Sequence, residues 1–327
     1  MKVSIAEIEA KSTAALVAHG AGSWQAAEVA KAVARAEETG NIICGLYYLE
    51  SYCAQLLSGR VNGTVEPQVR ISRPGNVMVD AGFGFAQPAF SSALPDAIAA
   101  ARSSGIASLA VAHSHTCTSL GFFTEQIAAR GLIGIGFTNA SAIVAGPGGK
   151  DRVLGTNPIA FTLPGESAPA MHADFSTAAV ALGKITMAKA AGEAIPLGWA
   201  VDAAGDPTTN PAAALEGALV PAAIYKGWAL GLLVEALAAG LTGSVNSLDV
   251  KGLKVAEGSP HDLGQYYIMI DPGSDRSILA DRFERVANAI SHDEEVRIPG
   301  VPRHQLDPVN VPDPLWKTVL ALSAKVD

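Results

Sequence analysis

The chain has 327 residues, of which 49% are apolar and 17% charged, and its formal net charge is −8. An acidic chain without a run of basic residues does not favour binding to nucleic-acid phosphates. The length allows two domains, or one domain with a large insertion. So little charge on so long a chain predicts that part of the surface is buried against a second subunit.

The cysteines, the N-terminus and the apolar stretches predict a soluble cytoplasmic protein. Cys44, Cys53 and Cys117 fit neither a disulfide framework nor a paired metal motif, so we expect free thiols in a reducing compartment. The first residues include acids and lack the apolar centre of a signal peptide. The most apolar window, residues 228–242, is too short to span a bilayer and contains Glu235.

The N-terminal part of the chain is predicted to be helical. Ser4 and Glu7 have the spacing of a capping box for a helix that Gly20 ends. Two more alanine-containing helices are predicted at residues 25–39 and 46–57.

Beyond residue 65, strands alternate with helices, which predicts an α/β core with at least part of the sheet parallel. The predicted strands are 68–72, 77–80, 106–112, 133–138 and 266–271. The predicted helices are 89–104, 124–130, 178–191, 228–240 and 274–291. Glycine- and proline-rich loops are expected at 142–149 and 195–227, and a tail is expected after residue 291.

The stretch 153–178 joins two short apolar runs to polar residues at their ends. Strand ends with several hydroxyls and one carboxylate suit a polar ligand better than a core. The residues concerned are Thr156, Asp174, Ser176 and Thr177. Lys226 precedes a long apolar helix, where a cation opposes the helix dipole, so we expect it to meet a ligand phosphate or carboxylate.

Two common nucleotide motifs and a metal motif are absent. Gly82-Phe-Gly84 lacks the third glycine of a Rossmann fingerprint, and Gly146-Pro-Gly-Gly-Lys150 lacks the hydroxyl residue of a P-loop. His113 and His115 lie two apart at the end of a strand, but no third metal ligand is near. A hydrogen-bonded position at the lip of a cleft is the favoured interpretation.

A series of short motifs extends over almost the whole chain. They are Arg35-Ala-Glu-Glu-Thr-Gly40, Ser58-Gly-Arg-Val-Asn62, Ser114-His115 with Gly121-Phe-Phe123, Leu154-Gly-Thr-Asn-Pro158, Asp174-Phe-Ser-Thr177 with Gly183-Lys184, Pro196 with Gly198-Trp199, Asp206-Pro-Thr-Thr209, Tyr225-Lys-Gly227 and Val296-Arg297 with Pro299-Gly300. In this order they resemble the malate/L-lactate dehydrogenase family of NAD(P)-dependent oxidoreductases, which is unrelated to the Rossmann-fold lactate and malate dehydrogenases.

The resemblance implies an α/β fold with a mixed-sheet core, an N-terminal helical region and a non-Rossmann NAD(P)-binding segment. We expect the helical region at 1–68, the core and C-terminal tail at 69–113 and 245–327, and the cofactor segment at 114–244. The resemblance also implies a homodimer with the cofactor cleft near the subunit interface.

By the same resemblance, the cofactor is NADH or NADPH, and Thr156 contacts the substrate. The residues expected to contact the cofactor are His115, Thr116, Cys117, Thr118, Ser119, Leu120, Asp174, Phe175, Ser176, Lys226, Arg297, Gly300 and Arg303. Arg297 and Arg303 are candidates for contact with a 2′-phosphate, but the sequence does not decide between the two cofactors.

The chain departs from the family pattern at its proton donor. Where family members have Ser-His-Gly followed by a carboxylate-binding arginine, this chain has Ile43-Cys44-Gly45 and Tyr48. Reduction of a 2-oxo acid leaves an alkoxide that needs a proton from a group with pKa near 7, and a thiol matches that poorly.

A cyclic iminium substrate brings its own proton, so its reduction does not need the histidine. We therefore favour a reductase of Δ1-pyrroline-2-carboxylate or Δ1-piperideine-2-carboxylate, which forms L-proline or L-pipecolate. Tyr47, Tyr48 and Tyr52 would wall such a site, and Cys44, Tyr48 and Thr156 are the candidate catalytic residues. Against this, family members of that branch have an aspartate at the position of Lys184. A 2-hydroxy-acid dehydrogenase of the malate or lactate type and a catalytically impaired cofactor-binding protein remain alternatives.

Overall fold

The computed structural model describes residues 1–166, 168–293, 295–300 and 305–324. The α-helices are α1 (Ile5–Ala18), α2 (Ser23–Glu38), α3 (Leu49–Ser58), α4 (Ala86–Ser104), α5 (Gly121–Ala128), α6 (Leu182–Ala191), α7 (Pro211–Glu216), α8 (Tyr225–Glu235), α9 (Arg276–Ile290) and α10 (Asp313–Ser323). Short 3-10 turns cover Ile42–Cys44, Leu46–Tyr48 and Gly273–Asp275, and a π-helical turn, Ala236–Gly240, continues α8. Within the described ranges, no helix has the length and apolar character to cross a membrane.

The strands are mostly short. They are β1 (Lys2–Val3), β2 (Gln68–Arg73), β3 (Asn76–Asp80), β4 (Ile106–Ser114), β5 (Ile133–Thr138), β6 (Val144–Ala145), β7 (Arg152–Leu154), β8 (Ile159–Leu163), β9 (Met171–Phe175), β10 (Ala200–Val201), β11 (Pro207–Thr208), β12 (Ala218–Leu219), β13 (Leu263–Ile270) and β14 (Val309–Asn310).

Two mixed sheets organise the part of the chain that the structure describes. The larger has the order β2-β3-β4-β13-β5-β8-β9, in which β3 and β4 are parallel and the other neighbours antiparallel. The smaller has the order β11-β10-β12-β6-β7, with β12 parallel to β6. The prediction of an α/β fold with a mixed-sheet core is confirmed.

Helices α4 and α5 pack on the larger sheet around three aromatic rings. Phe90 of α4 lies 4.9 Å from Phe123 of α5 and 4.9 Å from Tyr267 of β13, centroid to centroid, in edge-to-face geometry. All three side chains are buried, so this contact removes much apolar surface from water. It fixes α5 against the sheet, and the N-terminus of α5 borders the candidate site described below.

The N-terminal helices form a separate layer with the C-terminal helix. The Ser4 hydroxyl accepts a hydrogen bond from Glu7 N at 3.2 Å, so the predicted start of α1 is confirmed. Buried Trp316 of α10 packs in the same apolar cluster as Leu16 and Tyr52, and β14 pairs with β1. Helix α10 was not predicted within the expected tail. How the chain divides into domains stays a prediction.

The predicted loop at 195–227 is wrong, since it contains β10, β11, α7 and β12. Strands of two residues carry no periodic signal, and their pairing is set by the rest of the sheet. Helix α7 does have a local signal that the interpretation missed. Asn210 caps it by accepting from Ala212 N at 2.9 Å, and Pro211 occupies its first position.

Several predicted helix boundaries were displaced by about one turn. Helix α5 begins earlier than predicted, at Gly121, because Asp174, far away in sequence, caps it. Helix α6 begins later, at Leu182, because Ala178 bridges to Pro221 as extended chain. The predicted helix at 46–57 opens as a 3-10 turn and becomes α-helical at Leu49.

We predict that Trp316→Ala lowers the free energy of unfolding by about 3–5 kcal/mol, the usual cost of removing a buried tryptophan. Leu320→Ala on the same helix is the matched control, because Leu320 is exposed and its loss should cost about 0.5 kcal/mol or less. Urea denaturation measures both. Equal effects of the two substitutions would show that α10 does not close the N-terminal layer.

Candidate active site

A cavity of about 610 Å³ lies between β9, the turn before α5 and the segment 297–300. Five of the residues predicted to contact the cofactor line it, although they come from three separate parts of the chain. They are Ser119, Asp174, Phe175, Arg297 and Gly300. Thr39 and Asn41, which directly precede the Ile42–Cys44 turn, line its other side. The cavity thus brings together the predicted cofactor segment and the chain that leads into the turn containing Cys44.

Gly300 must be glycine where it borders this cavity. Its φ is +74°, and a Cβ there would lie 2.7 Å from the carbonyl oxygen of His172. His172 N also donates to Pro299 O at 3.0 Å, so the segment is held closely against β9. Arg303, the last residue of this predicted group, lies outside the described residues.

Asp174 fixes the N-terminus of α5. Its Oδ2 accepts hydrogen bonds from Gly121 N at 2.8 Å and from the Ser119 hydroxyl at 3.3 Å. The residue keeps an exposed surface in the cavity, but the surrounding protein withdraws water from its carboxyl oxygens. This desolvation raises the pKa of Asp174, and the hydrogen bonds from the turn oppose the rise. Asp174 thus organises the edge of the cavity.

The carbonyl oxygen of Thr156 connects the end of β9 to the turn before β8. It accepts from the Ser176 hydroxyl at 3.1 Å, and from Thr177 N and the Thr177 hydroxyl at 3.0 Å each. The hydroxyls of Ser176 and Thr177, which were predicted to face a ligand, therefore both donate to a backbone carbonyl oxygen. The Thr156 side chain itself is half-buried.

Lys226, predicted to precede the helix, lies in the first turn of α8 and is exposed; its contact with a ligand stays a prediction. Ala222 N donates to Thr177 O at 2.9 Å, which places the start of α8 beside the turn that follows β9. Ala223 and Ile224 have positive φ values of 47° and 56° immediately before the helix. Gly227, which follows Lys226, also packs closely on this turn, since a Cβ there would lie 2.6 Å from the Thr177 carbonyl oxygen.

Most of the segment 115–120 is buried, although all of it was predicted to contact the cofactor. The side chains of His115, Cys117 and Leu120 are in the protein interior, and Thr116 is also buried. Only Thr118 and Ser119 keep partial exposure. The side chains placed to meet a ligand in this segment are therefore these two.

His115 is held in a buried polar cluster and is neutral. Its Nε2 lies 2.7 Å from Gln55 Oε1, which can only accept, so Nε2 carries the proton. The ring stacks on His261 at 4.0 Å between centroids. Burial lowers the pKa of His115 well below its ordinary value, and His261 and Arg60 lower it further. It cannot supply a proton at neutral pH in place of the missing histidine.

His113 and His115 have different partners. His113 Nδ1 lies 2.8 Å from Asp262 Oδ1, on the partly exposed side of the end of β4. His113 also has a positive φ of 53°, which breaks the regular alternation of the strand. The pair therefore does not converge on one ligand.

The Cys44 thiol and the Tyr48 hydroxyl do not titrate near neutrality. Burial raises the pKa of the Cys44 thiol to about 12, and the nearby Asp174 carboxylate adds to the rise. Burial likewise raises the pKa of Tyr48 to about 12, with Cys44 as the next cause. Both groups stay protonated at pH 7, so neither can act as a base in the oxidising direction.

The three tyrosines form a continuous aromatic row. Tyr47 and Tyr48 are 5.9 Å apart, Tyr48 and Tyr52 are 5.8 Å apart, and Tyr52 continues to Phe85 at 5.6 Å. Cys44 borders this row through Tyr48. Tyr52 is buried at the inner end of the row, so of the three tyrosines predicted to wall the site only Tyr47 and Tyr48 keep exposed surface.

Four residues of this region were not singled out in the sequence: Gln55, Arg60, Lys254 and His261. Gln55 and Arg60 bind the chain at residues 252–259, which is about 200 residues away in sequence. Arg60 does fall within a motif that supported the family resemblance, but nothing local indicated its partners.

Residues 3–310 match the sequence profile of the malate/L-lactate dehydrogenase family. The chain is 39% identical over 305 residues to a (2R)-3-sulfolactate dehydrogenase (NADP(+)) of Chromohalobacter salexigens, covering 93% of this chain and 91% of that protein. It is 38% identical over 310 residues to a Δ1-pyrroline-2-carboxylate reductase of Ancylobacter novellus, with 93% and 91% coverage. The solved structure of Δ1-piperideine-2-carboxylate reductase from Pseudomonas syringae superposes with a TM-score of 0.90 at 32% identity, covering 98% of this chain and 99% of that one.

The buried His115 and His261 and the half-buried His172 make a pH-dependent contribution to stability. Burial lowers the pKa of His172 to about 4, assisted by Arg35, and that of His261 to about 3, assisted by Arg60; His115 is also depressed. The unfolded chain binds these protons below about pH 6.5, whereas the folded chain does not. Stability from each histidine is therefore complete above that pH and is lost as the pH falls towards the folded pKa.

We predict that His172→Gln reduces the difference in unfolding free energy between pH 7.5 and pH 5 by about 2 kcal/mol. Urea denaturation at the two pH values gives this difference. His292→Gln, at an exposed position, controls for the substitution itself. A pH dependence identical in wild type and His172→Gln would contradict the assignment of a neutral imidazole whose pKa is lowered in the folded protein.

Proposed function

The chain belongs to the malate/L-lactate dehydrogenase family, and on that premise we propose that it reduces a cyclic 2-imino carboxylate. Membership confirms the resemblance inferred from the motifs and identifies the protein as an NAD(P)-dependent oxidoreductase. The proposed substrates are Δ1-pyrroline-2-carboxylate, which gives L-proline, and Δ1-piperideine-2-carboxylate, which gives L-pipecolate. The names of two similar proteins support this substrate class.

The observation that carries the proposal is the chemistry of Cys44 and Tyr48. Both pKa values lie near 12, and His115 is buried and neutral, so none of these three groups titrates near neutrality. An iminium carries its proton on nitrogen before the reaction. When hydride adds to C2, the electrons of the C=N bond move to that nitrogen and neutralise its charge. No acid from the enzyme is required. The product is a cyclic amino acid with a secondary amine.

The cavity beside Asp174 fits a nicotinamide cofactor by the character of its lining. Arg297 supplies a cation, the Ser119 hydroxyl borders the cavity, and Gly300 permits close approach of a ligand to the backbone. Bound NADH or NADPH would supply the hydride. Ser119, Asp174 and Phe175 would orient it, while Tyr47 and Tyr48 would shield the imine from water.

A 2-hydroxy-acid dehydrogenase is the second candidate, favoured by the similarity to the sulfolactate dehydrogenase. It requires a proton donor for the alkoxide, which Cys44 with a pKa near 12 supplies poorly. We therefore place it second. A protein that binds the cofactor without turnover is the remaining alternative.

We predict NAD(P)H oxidation with Δ1-pyrroline-2-carboxylate or Δ1-piperideine-2-carboxylate and little with pyruvate, oxaloacetate or 3-sulfopyruvate. The reason is that only the imines arrive protonated at the reacting bond. Absorbance at 340 nm measures turnover. Faster turnover of any keto acid than of both imines would favour the dehydrogenase, and cofactor binding without turnover would favour the impaired protein.

Substitutions at Cys44 separate the two enzymatic alternatives. Cys44→Ala should leave imine reduction within about threefold, because the thiol transfers no proton. Cys44→His should raise keto-acid turnover by about 10²-fold or more if the site still orients a keto acid. Cys53→Ala, at a buried cysteine of α3, controls for thiol loss elsewhere.

We further propose that the protein is a cytoplasmic homodimer. Helix α8 is apolar on nearly all sides, yet Leu230, Leu232 and Leu233 are exposed. A helix that is apolar all round is normally buried, so a second subunit is the expected cover. The three cysteines are free thiols, as a reducing compartment favours.

Sedimentation equilibrium should give twice the mass of the chain. Leu233→Glu should shift the equilibrium towards monomer because it places a charge in the apolar contact. Leu57→Glu, at an exposed leucine of α3, is the control and should leave the dimer intact. A monomeric wild type would overturn the proposal.

A further inference from the structure

We propose that Lys254 binds the carboxylate of the substrate. Its Nζ lies 2.9 Å from the centroid of the Tyr47 ring and 4.6 Å from that of the Tyr48 ring. The ammonium thus lies over the aromatic row that borders Cys44. This inference rests on the proposed function, since a 2-imino carboxylate requires a cation beside the reacting carbon.

A buried amide fixes the backbone on both sides of Lys254. Gln55 Nε2 donates to Leu253 O at 2.9 Å and to Val255 O at 2.8 Å. Gln55 is fully buried, and its Oε1 accepts from His115. A lysine on a mobile surface loop would not have both neighbouring carbonyls held by one buried side chain. The backbone of Lys254 is therefore positioned by the protein interior.

Arg60 holds the same loop from a second point. Its guanidinium donates to Gly252 O at 2.9 Å, to Ser259 O at 3.0 Å and to Val255 O. The side chain is only 1% exposed, and these acceptors are neutral carbonyls. Nε and Nη1 thus hold the loop, Nη2 is buried without a hydrogen-bond partner, and the burial of the side chain keeps it from an exposed substrate.

Lys254 is a cation with aromatic neighbours and, among the described residues, without an ion pair to a carboxylate. Ring faces stabilise an ammonium without neutralising it, so the exposed side of Nζ can still receive an anion. Tyr48 has Cys44 among its electrostatic neighbours and Lys254 over its ring. A carboxylate bound to Lys254 therefore lies along the row that leads to Cys44.

Two other cationic side chains, Arg35 and Arg297, interact elsewhere. Arg35 forms salt bridges with Glu38 and with Glu125, the latter at 2.9 Å. Arg297 lines the cavity beside β9, where the cofactor is proposed to bind. Neither lies on the tyrosine row. Lys254 is the cation that the structure holds over this row.

The direct test compares Lys254→Ala, Lys254→Arg and Lys251→Ala in the full-length enzyme. Lys251 is exposed in the same loop and serves as the matched control. Lys254→Ala should raise the KM for Δ1-pyrroline-2-carboxylate by about 10- to 100-fold with a smaller change in kcat, the usual effect of losing a hydrogen bond to a charged group. Lys254→Arg should restore most of the loss, and Lys251→Ala should behave as wild type. An unchanged KM in Lys254→Ala overturns the inference.

A binding measurement separates this inference from the proposed reaction. Calorimetry with protein loaded with NAD⁺ or NADP⁺, whichever binds more tightly, compares pyrrole-2-carboxylate with pyrrole-2-carboxamide, which has the same ring without the charge. Wild type should prefer the carboxylate, and Lys254→Ala should lose that preference while binding the amide unchanged. Loss of the preference in an enzyme that reduces no imine would sustain the role of Lys254 and refute the proposed reaction. If Lys254→Ala keeps the preference for the carboxylate and the enzyme reduces the imine, the proposed reaction is supported and the role of Lys254 is refuted.

Discussion

The Gln55 side chain joins three parts of the molecule that are distant in sequence. From α3 it accepts a hydrogen bond from His115 at the end of β4 and donates to two carbonyls of the 252–259 loop. A buried amide must satisfy both its donor and its acceptor, so all three elements are held in one relative position. The Tyr47–Tyr52 row lies on the same helix and the turn before it. The position of the aromatic wall and of Lys254 thus depends on one amide.

The proton required by the reaction sets the second constraint. Burial near Asp174 makes Cys44 a weak acid, and burial in the interior makes His115 and His261 neutral. Low dielectric surroundings strengthen a charge pair between a substrate anion and a lysine, but they oppose acid–base catalysis by a thiol. A substrate that is already cationic at the reacting nitrogen and anionic at the carboxylate suits both conditions.

Much of the fold was predictable because its signals are local. The capping box at Ser4, the strand at Ile133–Thr138 and the alternation of strands and helices led to the correct class. The two-residue strands β10, β11 and β12 were missed because only pairing across the small sheet defines them. The early start of α5 depends on Asp174, which is 53 residues away from Gly121.

In the candidate site, too, the residues within sequence motifs were predictable, whereas contacts between distant residues were not. Family motifs located Ser119, Asp174, Phe175, Arg297 and Gly300, which share one cavity. The motifs also showed that Ile43-Cys44-Gly45 differs from the Ser-His-Gly of the family pattern. They could not indicate Lys254 or Gln55, because the relation between these residues is a contact of the folded chain. The burial of His115 and Cys117 likewise follows only from packing.

In the proposed reaction the enzyme contributes no acid to the reduction. The pH dependence of kcat/KM for Δ1-pyrroline-2-carboxylate, measured in wild type and Cys44→Ala, examines this point. We expect superimposable profiles that fall only with deprotonation of the substrate iminium. An additional ionisation near neutrality in wild type that disappears in Cys44→Ala would contradict it.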